Sequence, residues 1–350
     1  MAKRRGPSCS GCLIESGRFE MGASPDPLAG LGPLTVPDAL SVPGVAVDTE
    51  ALLKLRHLVR HIPDRRLAPT GMPGGFVTRR RGRGLETIDV RIFSYGDDIR
   101  HVDHNTTART GVTHVRSFHD ERERTALLIA DFRPSMLWGT RRALRSVAAA
   151  EALALTGWRV NEAGGRAGLI AFGSGPPVFV AARGRERGMI PVVGGLAAAH
   201  CAALLAAAES HDLQDQPLEV TLEMAFGLVP PGGSVFLASG LDNPGKDFDS
   251  LATALNRRAA LTVLLITDAF ERAAPAGTYP FATGKGGIRW ASFGRAGKGG
   301  DGRREGNAAG GVDHRIAHLN RLGIAAVTID ASAIPEVVAE NLDRLDGRAF

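Results

Sequence analysis

A chain of 350 residues is long enough to bury a full core, and 44% hydrophobic with 23% charged residues excludes the disordered and fibrous classes. Three cysteines exclude a disulfide framework, and the net charge of +5 is too modest to dictate a polyanionic partner. The start, MAKRRGPSCSGCLIESG, is basic but lacks the apolar stretch of a secretory signal, and no run reads as the roughly 20 apolar residues of a membrane span, so a cytoplasmic protein with no membrane span is expected.

Residues 1–45, rich in Pro, Gly, Ser and Ala without a sustained period, read as a disordered tail. Residues 46–124 read as an N-terminal helix followed by a small β-rich module. The helix is predicted over Val47 to Ile62: Asp48 or Thr49 can cap it, Leu52, Leu55, Leu58, Val59 and Ile62 recur at helical spacing, and Pro63 stops it. A basic Gly/Pro-rich stretch follows, with Arg79, Arg80, Arg81 and Arg83. The cluster could touch nucleic acid, but it lacks interleaved aromatic residues for bases to stack on. A solvated basic hairpin is the plainer reading, and nucleic acid is not the expected partner. ETIDVRIF and VTHVRSFHDERE read as strands, and the polar SYGDDIRHVDHNTTARTG between them as turns.

From Thr125 to the end, short apolar strands alternate with helices. TALLIA and AGLIAF are strands around the Ala-rich helix TRRALRSVAAAEALALTGWRVNEAGG, whose broad face carries Leu144, Val147, Ala148, Leu155 and Trp158 and which Gly164 closes. PLEVTLEMAFGLV, DFDSLATALNRRA, RIAHLNRLG and AIPEVVAENLDRL read as helices, interleaved with the strands SVFLAS, LTVLLIT and AAVTI. This alternation predicts an α/β domain with a mostly parallel sheet covered on both faces. The Gly-rich residues 284–312 read as a flexible loop inserted in it.

An open α/β sheet binds ligands at the carboxyl ends of its strands. The residues delivered there are Asp131 to Ser135, Gly173 and Ser174, Ser239 to Asp242, and Asp268 to Glu271, with Asp131, Asp242, Asp268 and Glu271 as strand-end acids. Elsewhere, Cys9, Cys12, His57 and His61 offer zinc-type ligands at a spacing far from that of a finger, and Cys201 reads as a small buried residue. No G-x-x-x-x-G-K-[ST] or G-x-S-x-G occurs, so neither a P-loop nor a hydrolase elbow is supported.

The ordered string Gly82, Arg83, Gly84, Glu86, Arg91, Gly96, Asp97, Asp98, Arg100, Asp103, Ala108, Arg109 and Thr110 resembles the signature of the bacterial domain of unknown function 58 family. The family's usual isoleucine and tryptophan are Val102 and His104 here. A second similarity runs from ERERTALLIADFRPSM, through LLITDAFE, to the C-terminus. The resemblance implies a von Willebrand factor A-like α/β domain after the β-rich module. It also implies action beside a MoxR-type AAA+ ATPase in assembling or activating client proteins. Among the motif's charged residues, Glu86, Arg91, Asp97, Asp98, Arg100, Asp103 and Arg109 read as an ion network with an edge open to a partner; Gly96 and its neighbours suit a tight turn.

The same resemblance implies a Mg²⁺ site built on D-x-S-x-S, a threonine from a later loop and often a second aspartate. In this chain the first aspartate is Asp131 and the second serine Ser135, but Arg133 replaces the first serine, Gln216 falls at the threonine position, and Ser239 replaces the second aspartate. A guanidinium coordinates no cation and repels one. Arg133 is therefore expected to pair bidentately with Asp131 in the metal's place, leaving a degenerate site and no cofactor. The competing arrangement turns Arg133 outward and keeps a weak Mg²⁺ site on Asp131, Ser135 and Ser239. The function expected is a non-catalytic protein-interaction adaptor. The alternative is a metal-assisted hydrolase or nucleic-acid binder that uses the basic module and the acidic strand-end rim.

Overall fold

In a computed structural model, the structure describes residues 40–59, 87–94, 99–118, 125–184, 186–210, 214–283, 287–293 and 308–348. The first helices among the described residues are the short α1 (Thr49–Lys54) and α2 (Arg56–Val59), where one continuous helix was expected as far as Ile62, which lies outside them. Asp48 caps α1 by accepting from the Glu50 N–H at 2.9 Å, and the ladder breaks at Leu55. Docking explains the break: the Trp158 indole donates to the Leu52 carbonyl at 3.1 Å, and Arg56 pairs with Glu162 at 2.8 Å, so each short helix is held separately.

Strands β1 (Thr87–Ile92) and β2 (His114–Phe118) pair antiparallel in their own two-stranded sheet. The stretch between them, read as turns, contains helix α3 (His104–Thr110). Its signals are Asp103, whose carboxylate accepts from the Thr106 N–H at 2.8 Å, and Gly111, left-handed at φ 72°.

The central sheet holds six strands: β3 (Thr125–Asp131), β4 (Arg166–Phe172), β5 (Val178–Gly184), β6 (Ser234–Ser239), β7 (Ala260–Thr267) and β10 (Ala325–Asp330). Their order is β10-β7-β6-β3-β4-β5, parallel throughout except for the edge strand β5. Between β7 and β10, β8 (Gly277–Thr283) and β9 (Gly287–Phe293) form a separate antiparallel hairpin. Neighbouring residues of β3 feed opposite cores. Ala126, Leu128 and Ala130 pack with α1, α2, α4 (Arg145–Glu162), α5 (Glu186–Glu209) and α10 (Pro335–Arg348). Leu127 and Ile129 pack with α6 (Leu218–Leu228), α7 (Phe248–Arg258) and α9 (Ala308–Arg321). Burial on both faces is why these strands are uninterrupted apolar runs. The Ala-rich stretch of α4 lets the helix lie close on the sheet; at Gly157 an added Cβ would come within 2.7 Å of the Met189 methyl.

Three further expectations are corrected. Helix α4 begins at Arg145, because Thr140, Arg142 and Leu144 are spent on Asp268, Glu151 and the Gly44 carbonyl. The 284–312 stretch contains β9 and the first turn of α9, so it is not one flexible loop. Strand β5 and the 24-residue α5 were not anticipated, and α5 overturns the statement that no run is long and apolar enough for a span: Arg187–Glu209 meets that test by length and composition. Here it packs on α4, β4 and β5, burying Met189, Val192, Val193, Leu196 and Leu204. Its Ala and Gly residues give no helical period, which hid it from pattern reading.

Candidate functional site

Strand β3 delivers Asp131 into the middle of the sheet's carboxyl edge, fully buried. A short 3-10 turn at Pro134–Met136 follows and curls Arg133 back over it. The Arg133 Nε donates to Asp131 Oδ1 at 2.9 Å and Nη2 to Oδ2 at 2.8 Å, a fork-to-carboxylate pair with both side chains at 1% exposure or less. The remaining donors reach carbonyls from two other loops. Nη2 meets Asp242 O at 2.7 Å, and Nη1 meets Asn243 O at 3.2 Å and also Gln216 O. Phe172 flanks the guanidinium, 5.8 Å from ring centre to Cζ. Burial works against the charge, but the Asp131 pair outweighs it and holds Arg133 above its ordinary value.

Asp131 has no oxygen left over. Oδ1 also accepts from the Arg133 N–H at 3.1 Å, and Oδ2 from the Ser239 hydroxyl at 2.6 Å. The Ser239 oxygen in turn accepts the Leu241 N–H at 2.9 Å, which tethers the loop after β6. That loop is strained: Leu241 and Asn243 sit at φ 58° and 45°. Its carbonyls at 242 and 243 are those turned onto Arg133.

The Mg²⁺ that the resemblance implies does not fit this donor set. A hard cation needs free oxygens, and Asp131's are consumed while a fixed cation fills the space beside them. Gln216 contributes its backbone carbonyl to Arg133. The Ser135 hydroxyl is buried with no partner, and its N–H donates to Asp215 at 3.0 Å. Among the described residues no cluster of three or more His, Cys, Asp or Glu side chains is disposed to hold a metal.

A second guanidinium, Arg145, opens α4 and is equally buried. It pairs with Asp242 at 2.8 Å, lies 3.6 Å from Glu271, and reaches the carbonyls of Ser135 and Ile266 at 3.3 Å each. Trp138 covers it at 5.5 Å. Arg315 from α9 completes the set, donating to Glu271 at 2.6 Å and to the Gly240 carbonyl. Three arginines thus interlock with Asp131, Asp242 and Glu271. A Cβ at position 240 would lie 1.3 Å from Arg145 Nη2 and 2.4 Å from Asp242 Oδ2, so any larger residue there displaces this ion pair. Asp268, fully buried, starts the short helix α8 (Ala269–Arg272) with a capping box: its carboxylate accepts from the Phe270 N–H at 2.8 Å, while the Glu271 carboxylate accepts from the Asp268 N–H at 3.1 Å. It also takes the Thr140 N–H at 2.9 Å and the Thr140 hydroxyl.

The structure therefore brings Asp131, Arg133, Ser239, the Gln216 carbonyl, Asp242, Asp268 and Glu271 to one edge, with Ser135 beside them. Of the 82–111 motif, Glu86, Gly96, Asp97 and Asp98 lie outside the described residues, as do Arg79 to Arg83. Arg91 lies in β1; Arg100 and Arg109 are exposed, and Asp103 serves as the cap of α3. Cys9, Cys12 and His61 also lie outside, while His57 sits on α2 and Cys201 is buried in α5, where burial raises its thiol's pKa. Asp215, Arg145, Arg315 and Thr140 were not anticipated. Only Arg145 carried a local signal, as an arginine breaking an apolar helical face.

Comparison with known proteins places this chain in a family. The model described as "Protein of unknown function DUF58" matches residues 89–282, over half of the chain. The uncharacterized proteins Rv1480 of Mycobacterium tuberculosis and Mb1516 of Mycobacterium bovis are each 36% identical over 108 residues, which is 30% of this chain. The chain spans about a third (33%) of the length of the curated relatives it matches. No solved structure gives a significant match. The chain belongs to the DUF58 family of proteins of unknown function.

Proposed function

We propose that this protein is a non-catalytic adaptor whose von Willebrand factor A-like domain carries an arginine where relatives of that fold hold a metal. It works beside a MoxR-type AAA+ ATPase in the assembly or activation of a client protein. The fold reading is supported by a parallel sheet with one antiparallel edge strand and a D-x-R-x-S turn at the carboxyl end of a central strand. The strand-end acids are spent on holding arginines and a helix cap, which suits a scaffold better than a reaction centre.

The observation that carries the interaction role is the hairpin β8–β9. Its inner face packs Tyr279 and Phe293 on Phe270 at 4.9 and 5.3 Å. The register puts Pro280 and Trp290 opposite each other on the other face, next to Ile288. Trp290 is 65% and Ile288 69% exposed. A tryptophan and an isoleucine held out together on a braced hairpin are what a protein interface uses as anchors. Co-purification tests the reading. The tagged full chain is expected to retain the ATPase from its own cells with or without ATP, and Trp290→Ser to lose it. Recovery of no ATPase by the wild type in either nucleotide state contradicts the role.

A further inference from the structure

A cavity of about 370 Å³ opens at the carboxyl ends of β7 and β10, lined by Arg141, Ala269, Arg272, Ala273 and Ser332. It lies outside the interlocked arginine cluster, and none of its lining residues carries a negative charge. Arg141 is exposed and makes no ion pair or side-chain hydrogen bond among the described residues. Arg272, about half exposed, uses Nη2 on Asp330 and keeps the other donors of its fork. Ser332 is already folded back, its hydroxyl donating to Asp330 at 2.7 Å and its N–H at 2.8 Å.

We propose that this cavity is an anion site that takes a carboxylate from an acidic segment of a partner protein, a step that deepens the adaptor reading above and rests on it. Its two guanidiniums come from different elements, the loop before α4 and helix α8, and both line the one cavity that a carboxylate would enter. The choice of a carboxylate over a phosphate follows from what lies behind the lining. Asp330 pairs with the lining Arg272 and accepts from the lining Ser332, and Asp268 immediately precedes the lining Ala269, its oxygens engaged by Thr140 and Phe270. These acids repel a dianion more than a monoanion, and a planar carboxylate matches a guanidinium fork.

The test uses the full-length protein and a fluorescein-labelled glutamate-rich peptide, its glutamine counterpart, and inorganic phosphate and free glutarate as competitors, followed by fluorescence anisotropy at low salt. The glutamate peptide should bind and the glutamine peptide should not. Arg141→Glu should weaken binding by about tenfold or more, and Arg257→Glu, an exposed basic residue of α7 that does not line the cavity, by less than about twofold. Equal binding by wild type and Arg141→Glu overturns the proposal, as does phosphate displacing the peptide at lower concentration than free glutarate. Arg141 has no partner to lose, so an unchanged thermal midpoint in Arg141→Glu separates a binding effect from misfolding. ATPase retained by wild type but not by Arg141→Glu supports the site in its setting. ATPase retained equally by both removes the carboxylate site and leaves the adaptor reading standing. No retention by either removes the adaptor reading, and the peptide titration still decides the cavity.

Discussion

Replacing Arg133 with methionine removes the guanidinium while keeping most of its volume. What remains is Asp131, fully buried, with only the Ser239 hydroxyl at 2.6 Å and the backbone N–H of position 133 at 3.1 Å to hold its charge. The carbonyls of Gln216, Asp242 and Asn243 lose their donor as well. Breaking a buried ion pair from one side costs about 3–5 kcal/mol, because the surviving charge cannot be resolvated. Removing both charges, with Asp131→Leu and Arg133→Met together, leaves only the orphaned carbonyls and is expected to cost about 1–2 kcal/mol. Urea unfolding at neutral pH, followed by circular dichroism, gives all corners of the double-mutant cycle. A coupling energy of about 2 kcal/mol or more is predicted between two residues that touch this closely. Arg133→Met within about 1 kcal/mol of wild type, with no coupling to Asp131, refutes the reasoning: the guanidinium would then be an ornament on the site and not its filling.

Further outcomes follow from other parts of the molecule. Gly240→Ala must push Arg145 off its carbonyl and carboxylate partners, since the new Cβ would sit 1.3 Å from Nη2; a loss of about 2–4 kcal/mol in the same unfolding assay is expected, and a neutral result contradicts the packing. His200 is buried against Phe132 and bonded to the Ser146 hydroxyl at 2.9 Å, and burial pulls its pKa from 6.5 down to about 4. Between those values the unfolded chain binds a proton that the folded site refuses, so stability rises with pH from about 4 to about 6.5, by up to about 3 kcal/mol; His200→Asn should flatten that rise in pH-dependent urea titrations. Asp103→Ala removes the cap of α3 and should cost about 1 kcal/mol, read as a lower thermal midpoint.

The parallel sheet was legible because strands buried on both faces must be apolar at every position, and TALLIA, SVFLAS and LTVLLIT are. The Asp131–Arg133 relation was legible for a similar local reason: two residues of opposite charge stand two apart in a turn at a strand end, and a guanidinium in that loop has one obvious partner. What the sequence hid falls into two kinds. Helix α5 has composition without period, so its length shows only once it is laid against β4 and β5. Asp215, Arg145 and Arg315 come to the site from segments far apart in sequence, and nothing local names the partner each will meet, the Ser135 N–H for Asp215 and carboxylates and carbonyls for the arginines, even where Arg145 stands out on an apolar helical face. Helix α3 is a milder case: its interior is polar, and only Asp103 and Gly111 at its ends mark it.

The occupancy of the Asp131 pocket is tested most directly by calorimetric titration of the full-length wild type with Mn²⁺. The account predicts heats indistinguishable from dilution up to millimolar metal, because the chain's own guanidinium already neutralises Asp131 and uses its oxygens. Saturable one-to-one binding at micromolar Mn²⁺, abolished by Asp131→Asn, would contradict it.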